Sequence, residues 1–400
     1  MGATPGAGRR ILYLQCTNPA AYPPLEHSSR ILASRGWRVR FVGASFPEVA
    51  SLRFAPHPGV EVRQIRFRSP GIVQKLQYLW FLAWCVLQAL LWRPRWVYAS
   101  DPLVAPAALV VSWLPWVRVL YHEHDSAAPG DGGSGVMALC LRARRRLARR
   151  ARVCVLPNAE RAAAFAEDTG TRAPVHVVWN CPERHEVRPP RGAEVGPMRV
   201  LYHGSVVEDR LPLTVVDAIA ALPDAAELVV AGYEPAGGIG WGERLRERAA
   251  QLGVPDRVRV VGPVPLRHDL LALCHTCDLG LAFMPLRSGD FNLRTMAGAS
   301  NKAFDYLACG LALVVSDLPD WRAMFVEPGY GFACSPEDPE ALARILAWGA
   351  ANRGRLREMG EEGRRRVAAE WNYEAQFAPV YARLSESETR GRELLTPVIQ

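Results

Sequence analysis

Several features are scarce in this sequence, and each scarcity excludes something. Residues 1–10 (MGATPGAGRR) hold no apolar core of the kind a secretory signal needs, so export is not expected. No stretch reaches the roughly 18–20 apolar residues of a membrane span. The longest, 76–92 (LQYLWFLAWCVLQALLW), falls just short and is interrupted by Gln77 and Gln88. The strand-like run at 96–100 follows too closely for a chain leaving a bilayer, so 76–92 is expected to be a buried or interfacial helix. No G-x-G-x-x-G follows the first apolar run, which argues against a nicotinamide dehydrogenase. Cys274 and Cys277 form a lone C-x-x-C pair with no second pair at zinc spacing, so no metal site is expected. The nine cysteines are scattered and mostly lie inside apolar runs, as in Val153-Cys154-Val155. They read as reduced, buried thiols of a cytoplasmic protein and not as a disulfide framework.

What remains is a globular chain of 400 residues, 49% hydrophobic and 22% charged, long enough for two cores. The formal net charge of +8 suits an anionic partner: nucleic acid, an acidic membrane surface or a phosphate-bearing ligand. Much of that charge is concentrated at 141–152 (LRARRRLARRAR), which carries seven arginines. A solvated helix face is the plain reading of this run; docking on anionic lipid headgroups or a phosphorylated acceptor is the sharper one. The aromatic residues lie in apolar runs and do not alternate with the basic ones, so nucleic acid is not the expected partner.

Short apolar strands alternate with helical stretches. Strands are expected at 11–16, 37–42, 60–67, 96–99, 117–121, 153–156 and 175–179. A helix over 24–36 stops on Gly36, and Asp101-Pro102 reads as an N-cap and first helical residue opening a helix over 103–114. Residues 182–197 (PERHEVRPPRGAEVGP) break the pattern with proline, glycine and charge, as a linker does. The alternation then restarts, with strands expected at 198–202, 227–231, 258–261, 279–283, 311–315 and 331–333 and a mostly helical tail over 338–385. The fold class is therefore α/β, with two doubly wound, Rossmann-like domains: 1–181, then the linker 182–197, then 198–370, followed by a terminal segment 371–400.

Ligands of open parallel sheets bind beyond the carboxyl ends of the strands, so polar residues there are the candidates. The strongest group is 299–316 (ASNKAFDYLACGLALVVS). Ser300, Asn301 and Lys302 open a short helix whose exposed N–H groups and dipole favour a phosphate, Gly298 permits close backbone approach, and Asp305 is placed to accept from a ribose diol. The alternative for this group is an ordinary cap followed by solvated charges. In 202–211 (YHGSVVEDRL), Gly204 and Ser205 end a strand and Arg210 offers a forked donor set for a diphosphate. Gly232 and the loop Gly262-Pro263-Val264 end further strands of the second half. In the first half, 121–126 (YHEHDS) ends a strand with His122, Glu123, His124 and Asp125, which reads as a polar wall holding one functional histidine; Asp101 is another strand-end polar group.

The two-domain plan and the string SNKAFDYLACGLALVVSD resemble the GT-B glycosyltransferases, in particular the large retaining group that uses nucleotide-diphosphate sugars. The resemblance spans nearly the whole chain: 8–43 looks like the family's first strand-helix-strand, WVYASDPLVAPAALV like its acceptor-side strand and helix, CDLGLAFMP like the strand leading to the donor site, and 371–381 like the terminal helix that crosses back. It implies two domains facing a central cleft and transfer of a sugar from a UDP- or GDP-sugar to a hydroxyl acceptor, as in cell-surface glycan, polysaccharide or glycolipid assembly. No cofactor and no metal are expected beyond the donor. Asp305 matches the ribose acid, Arg210 the diphosphate grip, Gly298 to Asn301 the phosphate loop, Gly262 to Val264 the vicinity of the base, and His124 the histidine near the transferred sugar; Asp101, His122 and Glu123 fall on the acceptor side. A cytoplasmic protein, peripheral on an anionic membrane and acting on a glycan or lipid-linked acceptor, is the expected setting. The chain departs from the family at Ala297, where many members have a glutamate, at Ser205, where many have an arginine, and at Thr17-Asn18-Pro19, where a glycine pair is common. A GT-B nucleotide-sugar 2-epimerase and a non-catalytic nucleotide-sugar-binding scaffold are the alternative readings.

Overall fold

The computed structural model describes residues 9–67, 71–127, 135–192, 196–222, 226–235 and 238–393, with side chains to residue 386. Two compact units make up the chain: Met1–Phe46, Pro56–Trp179 and Tyr373–Gln400 form the first, and Pro47–Ala55 and Asn180–Asn372 the second.

In the first unit, β1 (Arg10–Gln15), β2 (Arg38–Ser45), β3 (Val60–Arg66), β4 (Trp96–Ser100), β5 (Arg118–His122), β6 (Val153–Leu156) and β7 (Val175–Val177) form one sheet in the order β3-β2-β1-β4-β5-β6-β7. Every pairing is parallel. The helices are α1 (Pro23–Ser34), α2 (Ile72–Trp92), α3 (Ala105–Val111), α4 (Val136–Arg150) and α5 (Ala159–Thr169). A parallel sheet covered on both faces needs continuously apolar central strands, and β4 and β6 are buried at every position. Inward residues of α2, α3 and α4, such as Phe81, Ala108 and Leu147, share one core with Leu12, Val97 and Val119 of the sheet. These three helices therefore line the same sheet face.

In the second unit, β8 (Met198–Ser205), β9 (Ala226–Tyr233), β10 (Val258–Gly262), β11 (Leu279–Ala282), β12 (Ala312–Ser316) and β13 (Gly331–Cys334) form a parallel sheet in the order β10-β9-β8-β11-β12-β13. Its helices are α6 (Thr214–Ala220), α7 (Trp241–Gln251), α8 (Arg267–His275), α9 (Phe291–Arg294), α10 (Asn301–Ala308), α11 (Pro319–Trp321), α12 (Pro339–Ala351) and α13 (Arg353–Ala369). The chain then returns to the first unit as α14 (Tyr373–Glu393), where Tyr381 stacks under Arg35 at 3.9 Å.

All thirteen expected strands are present, with shifted ends. β8 and β9 run on to Ser205 and Tyr233, because Gly204 and Gly232 pair across the two strands. A Cβ on Gly232 would stand 1.8 Å from the Gly204 carbonyl oxygen, so only glycine fits there. The expected helix over 103–114 is shorter than its apolar run. A 3-10 turn, Pro102–Val104, precedes Ala105–Val111. Asp101 does not cap it; its carboxylate is used elsewhere. The proline- and charge-rich stretch 182–197, of which 193–195 lie outside the described residues, is tied to the second unit through Arg191 and Asp278 (3.0 Å) and through Arg188 N–H to the Ala308 carbonyl (2.9 Å). Among the described residues no helix is long and apolar enough to cross a membrane.

The approach of α13 to the turn after α10 sets a sharp steric limit. A Cβ on Gly360 would lie 2.1 Å from the Gly310 carbonyl oxygen, whereas one on Gly354 meets nothing closer than an arginine tip at 4.0 Å. Gly360→Ala is expected to destabilise the fold by about 1–3 kcal/mol, since backbone must shift. Gly354→Ala, in the same helix, should stabilise it by about 0.4–1 kcal/mol. Urea unfolding of the two variants checks the contrast; equal effects would mean that α13 is not packed this way.

Candidate active site

The second unit gathers its polar groups at the carboxyl ends of β8, β9 and β10. Gly204 ends β8 with φ +111°, a conformation that favours glycine. Lys302, in the first turn of α10, passes across it: its Cε and Nζ lie 2.9 and 3.0 Å from where a Gly204 Cβ would be, and Nζ sits 5.6 Å from the Tyr202 ring centre. Lys302 is buried and makes no hydrogen bond or ion pair with the described residues. Burial, with the Arg210 charge in support and Asp305 opposing, pushes its amine down to about 7. It is one of only two lysines in the chain. The guanidinium of Arg210, half-buried, has no carboxylate partner among the described residues. Two basic groups thus come within electrostatic reach of one another at one strand end, a pairing that suits an anion. Tyr306 fixes α10 on β8 by accepting the His203 N–H at 2.9 Å.

Asp305, read from the sequence as an acceptor for a ribose diol, has both carboxylate oxygens engaged by protein groups. It is fully buried. Arg267 grips both of its oxygens, at 2.6 and 3.1 Å, and Asn301 donates to it at 2.8 Å. Arg267 also pairs with Glu186 at 2.6 Å, and His203 Nε2 lies 3.5 Å from Asp305. Burial holds His203 neutral, at about 4, against the pull of Asp305. The amide of Asn301 is therefore directed to Asp305. Ser300 begins α10 without a side-chain cap bond, and its buried hydroxyl oxygen has no partner. Gly298 takes φ +77° and its carbonyl accepts the Asn180 N–H at 2.8 Å. Ser205 bonds the Tyr233 hydroxyl at 3.3 Å. Gly262 sits at a register shift with φ +82°, and Val264 lies half-buried in the loop that leads to Arg267. Arg267, Glu186 and His203 were missed by sequence reasoning. A signal existed for Arg267: a cation in the first turn of a helix is disfavoured by the helix dipole unless an acid holds it.

The first unit has its own strand-end group. Asp101 adopts φ +68°, uncommon for a residue with a side chain and associated with functional strain. It accepts the His124 backbone N–H at 2.8 Å and the Gln15 amide at 3.1 Å. Burial and then the Asp125 charge push its carboxyl up to about 7. His122 is fully buried against the Tyr98 hydroxyl, and its ring lies 3.9 Å from that of His124. His124 is held neutral, at about 3, by burial and then by Arg161, and neither ring nitrogen has a partner. A cavity of about 540 Å³ opens beside Asp101, walled by Cys16, Tyr22, Leu103, Met137 and Leu141. Glu123 does not face it. It is fully buried, pairs with Arg144 at 2.5 and 2.8 Å and accepts from the Tyr121 hydroxyl at 2.8 Å. Its acceptor-side assignment is therefore corrected to a structural one: α4 is pinned to β5 through this pair.

Among the described residues no group of three or more His, Cys, Asp or Glu side chains is placed to hold a metal ion. Two family models match adjoining stretches of the chain: "Glycosyl transferase 4-like domain" over 25–181 and "Glycosyl transferases group 1" over 183–366. With two Rossmann-like parallel sheets, they place the chain in the GT-B glycosyltransferase family. No curated protein sequence matches it. Among solved structures it is similar to Anabaena Alr3699/HepE in complex with UDP and glucose (TM-score 0.68, 17% identity, covering 94% of this chain and 100% of that one). It is also similar to sucrose-phosphate synthase from Thermosynechococcus elongatus (0.67, 17%, 95% and 100%) and to WaaG, a glycosyltransferase involved in lipopolysaccharide biosynthesis (0.64, 14%, 92% and 98%). At these identities the likeness is one of fold.

Two predictions follow from the geometry. Lys302 keeps its proton to about 10.5 when unfolded but only to about 7 when folded. Unfolding above pH 7 therefore takes up a proton, and the penalty of burying the charged amine, full below pH 7, fades as pH rises. The stability of the ligand-free protein relative to Lys302→Met should rise by about 2 kcal/mol between about pH 7 and about pH 9. A pH-independent difference in urea unfolding would place the amine in solvent. For the first unit, Glu123→Ala removes one of the two carboxylates that meet the buried Arg144, leaving Asp168, and should destabilise the fold by about 1–3 kcal/mol, read as a fall in unfolding midpoint. A near-neutral result would refute the pinning of α4.

Proposed function

We propose that this protein transfers a glycosyl unit from a UDP- or GDP-sugar to a hydroxyl acceptor, with Arg210 and Lys302 holding the donor diphosphate. The observation that carries this reading is the buried, unpartnered Lys302 amine beside Arg210 at the end of β8. Glycosyl transfer passes through an oxocarbenium-like state while negative charge grows on the departing diphosphate. Cations fixed in a low-dielectric site before the reaction stabilise that charge more than they stabilise the ground state. A dianionic ligand also favours the protonated amine, so donor binding draws a proton onto Lys302 at neutral pH. Gly204 and Ser205 let the phosphates approach the backbone, Gly298 and Ser300 flank them, and Gly262 and Val264 lie toward the base. Asp305 is a positioning residue, acting through Arg267 and Asn301. The chemistry proposed requires no metal or further cofactor. The Anabaena protein has been solved with UDP-glucose, which makes a UDP-hexose the first donor to test.

On the acceptor side, Asp101 and neutral His124 orient the attacking hydroxyl. A carboxyl near 7 accepts or releases a proton at working pH. The apolar wall of the cavity suits an acceptor with a lipid or other apolar aglycone. The setting proposed is the cytoplasmic face of an anionic membrane, with peripheral contact and no nucleic acid. Retention of anomeric configuration is read from the family resemblance.

A thermal-shift panel of nucleotide sugars tests the donor. A ligand at about 100 times its dissociation constant should stabilise the fold by about 2.7 kcal/mol; no shift with any nucleotide or nucleotide sugar would sink the reading. Arg210→Ala should bind donor more weakly and lower turnover by roughly 10- to 100-fold while remaining folded. Release of nucleoside diphosphate measures this, and parent-like kinetics would move the diphosphate elsewhere.

A further inference from the structure

The outer surface of α2, α3 and α4 is unusual for a helical layer. The three helices contain no acidic residue. Apolar side chains stand in solvent along it, among them Leu76, Trp80, Leu87, Leu91, Trp113 and Leu139. At one point this surface closes into a cavity of about 410 Å³, lined by Leu109 and Trp113 from α3 and its exit and by Arg146, Arg149 and Arg150 from α4. Spacing explains part of the convergence: 146, 149 and 150 share one face of α4, while Leu109 lies on α3 and Trp113 in the turn that follows it. Trp113 is 70% exposed, and the Arg150 guanidinium stacks over its ring at 3.7 Å. Arg150 donates to the Ser112 hydroxyl (3.0 Å) and carbonyl (3.1 Å), and Arg149 to the Thr169 carbonyl (2.7 Å). These acceptors are neutral, so they orient the guanidinium groups without cancelling their charge. The nearby carboxylate, Asp168, is already engaged by Arg144 and Arg145.

We propose that this cavity binds the phosphate of an anionic phospholipid, so that α4 is fastened to headgroups while the apolar faces of α2 and Trp113 enter the interfacial layer. The proposal rests on the membrane setting given above and adds the site at which that setting is read. A planar, weakly hydrated guanidinium suits a phosphate diester, and an amphipathic indole suits the headgroup depth. The bilayer is preferred to a soluble anion because the cavity lies within a broad apolar surface that a free phosphate would leave in water.

Sedimentation with vesicles of phosphatidylcholine alone, or mixed with phosphatidylglycerol, tests this. The full chain is compared with Arg146→Gln/Arg149→Gln/Arg150→Gln and with Arg146→Gln/Trp113→Ala. The second variant leaves the Arg149 and Arg150 hydrogen bonds to Thr169 and Ser112 in place, and both variants are checked for folding by circular dichroism. Wild type should bind the anionic vesicles preferentially, and each variant should lose about tenfold or more in partition, since each basic residue near the surface is worth roughly fivefold. Wild-type binding that both variants retain would overturn the headgroup site and leave the membrane setting intact. No wild-type binding to either vesicle would overturn both. Displacement from vesicles by millimolar inorganic phosphate would overturn the lipid as the ligand.

Discussion

The strand-end cluster of the second unit depends on one buried carboxylate. Asp305 has no access to water, so its charge must be met inside the protein. Arg267 meets it from the start of α8, Asn301 from the start of α10, and Glu186 completes the network from the far side of Arg267. Through these bonds the first turn of α10 is held, and with it Lys302. Tyr306 on the same helix reaches β8, and Phe304 stacks edge-on against Trp371. A helix of two turns is thereby fixed on three sides, which is what a phosphate site needs if its charges are to be in place before the ligand arrives. Loss of the carboxylate would leave Arg267 paired with Glu186 alone and the Asn301 amide without its acceptor. Its effect on function would come through the shape of the site.

Much of the fold was legible in the sequence because parallel sheets write themselves in apolar runs. The central strands are buried on both faces, so 96–99 and 153–156 could be recognised without their neighbours. The ends were less legible. β8 and β9 continue through Gly204 and Gly232 because two glycines face each other there, a pairing between residues far apart in sequence. The helix expected over 103–114 was overcalled, since its apolar content reflects burial in the sheet-facing layer and not helix length.

The candidate site divides along the same line. Gly204 was named from its place at a strand end, Arg210 from its forked donor set in the same loop and Lys302 from the start of a helix, and the fold brings them to one place. Asp305 and Glu123 were named by residue type, and both turned out to be buried partners of arginines. Sequence shows a carboxylate but not the guanidinium that will reach it, since Arg267 and Arg144 come from separate helices. Asp101 is intermediate: its position was readable, but its positive φ and its bonds to Gln15 and His124 belong to tertiary structure.

The scarcity of lysine has a chemical consequence. Apart from the amino terminus, a reagent that acylates amines finds only Lys75 and Lys302, for every other basic side chain apart from histidine is a guanidinium. Lys75 is exposed on α2, whereas burial pushes the Lys302 amine down to about 7, so that much of it is free base near neutrality. Nucleophilicity is thus concentrated at the one amine assigned to the donor, and the covalent labelling pattern of the whole chain reports on whether that single position is occupied.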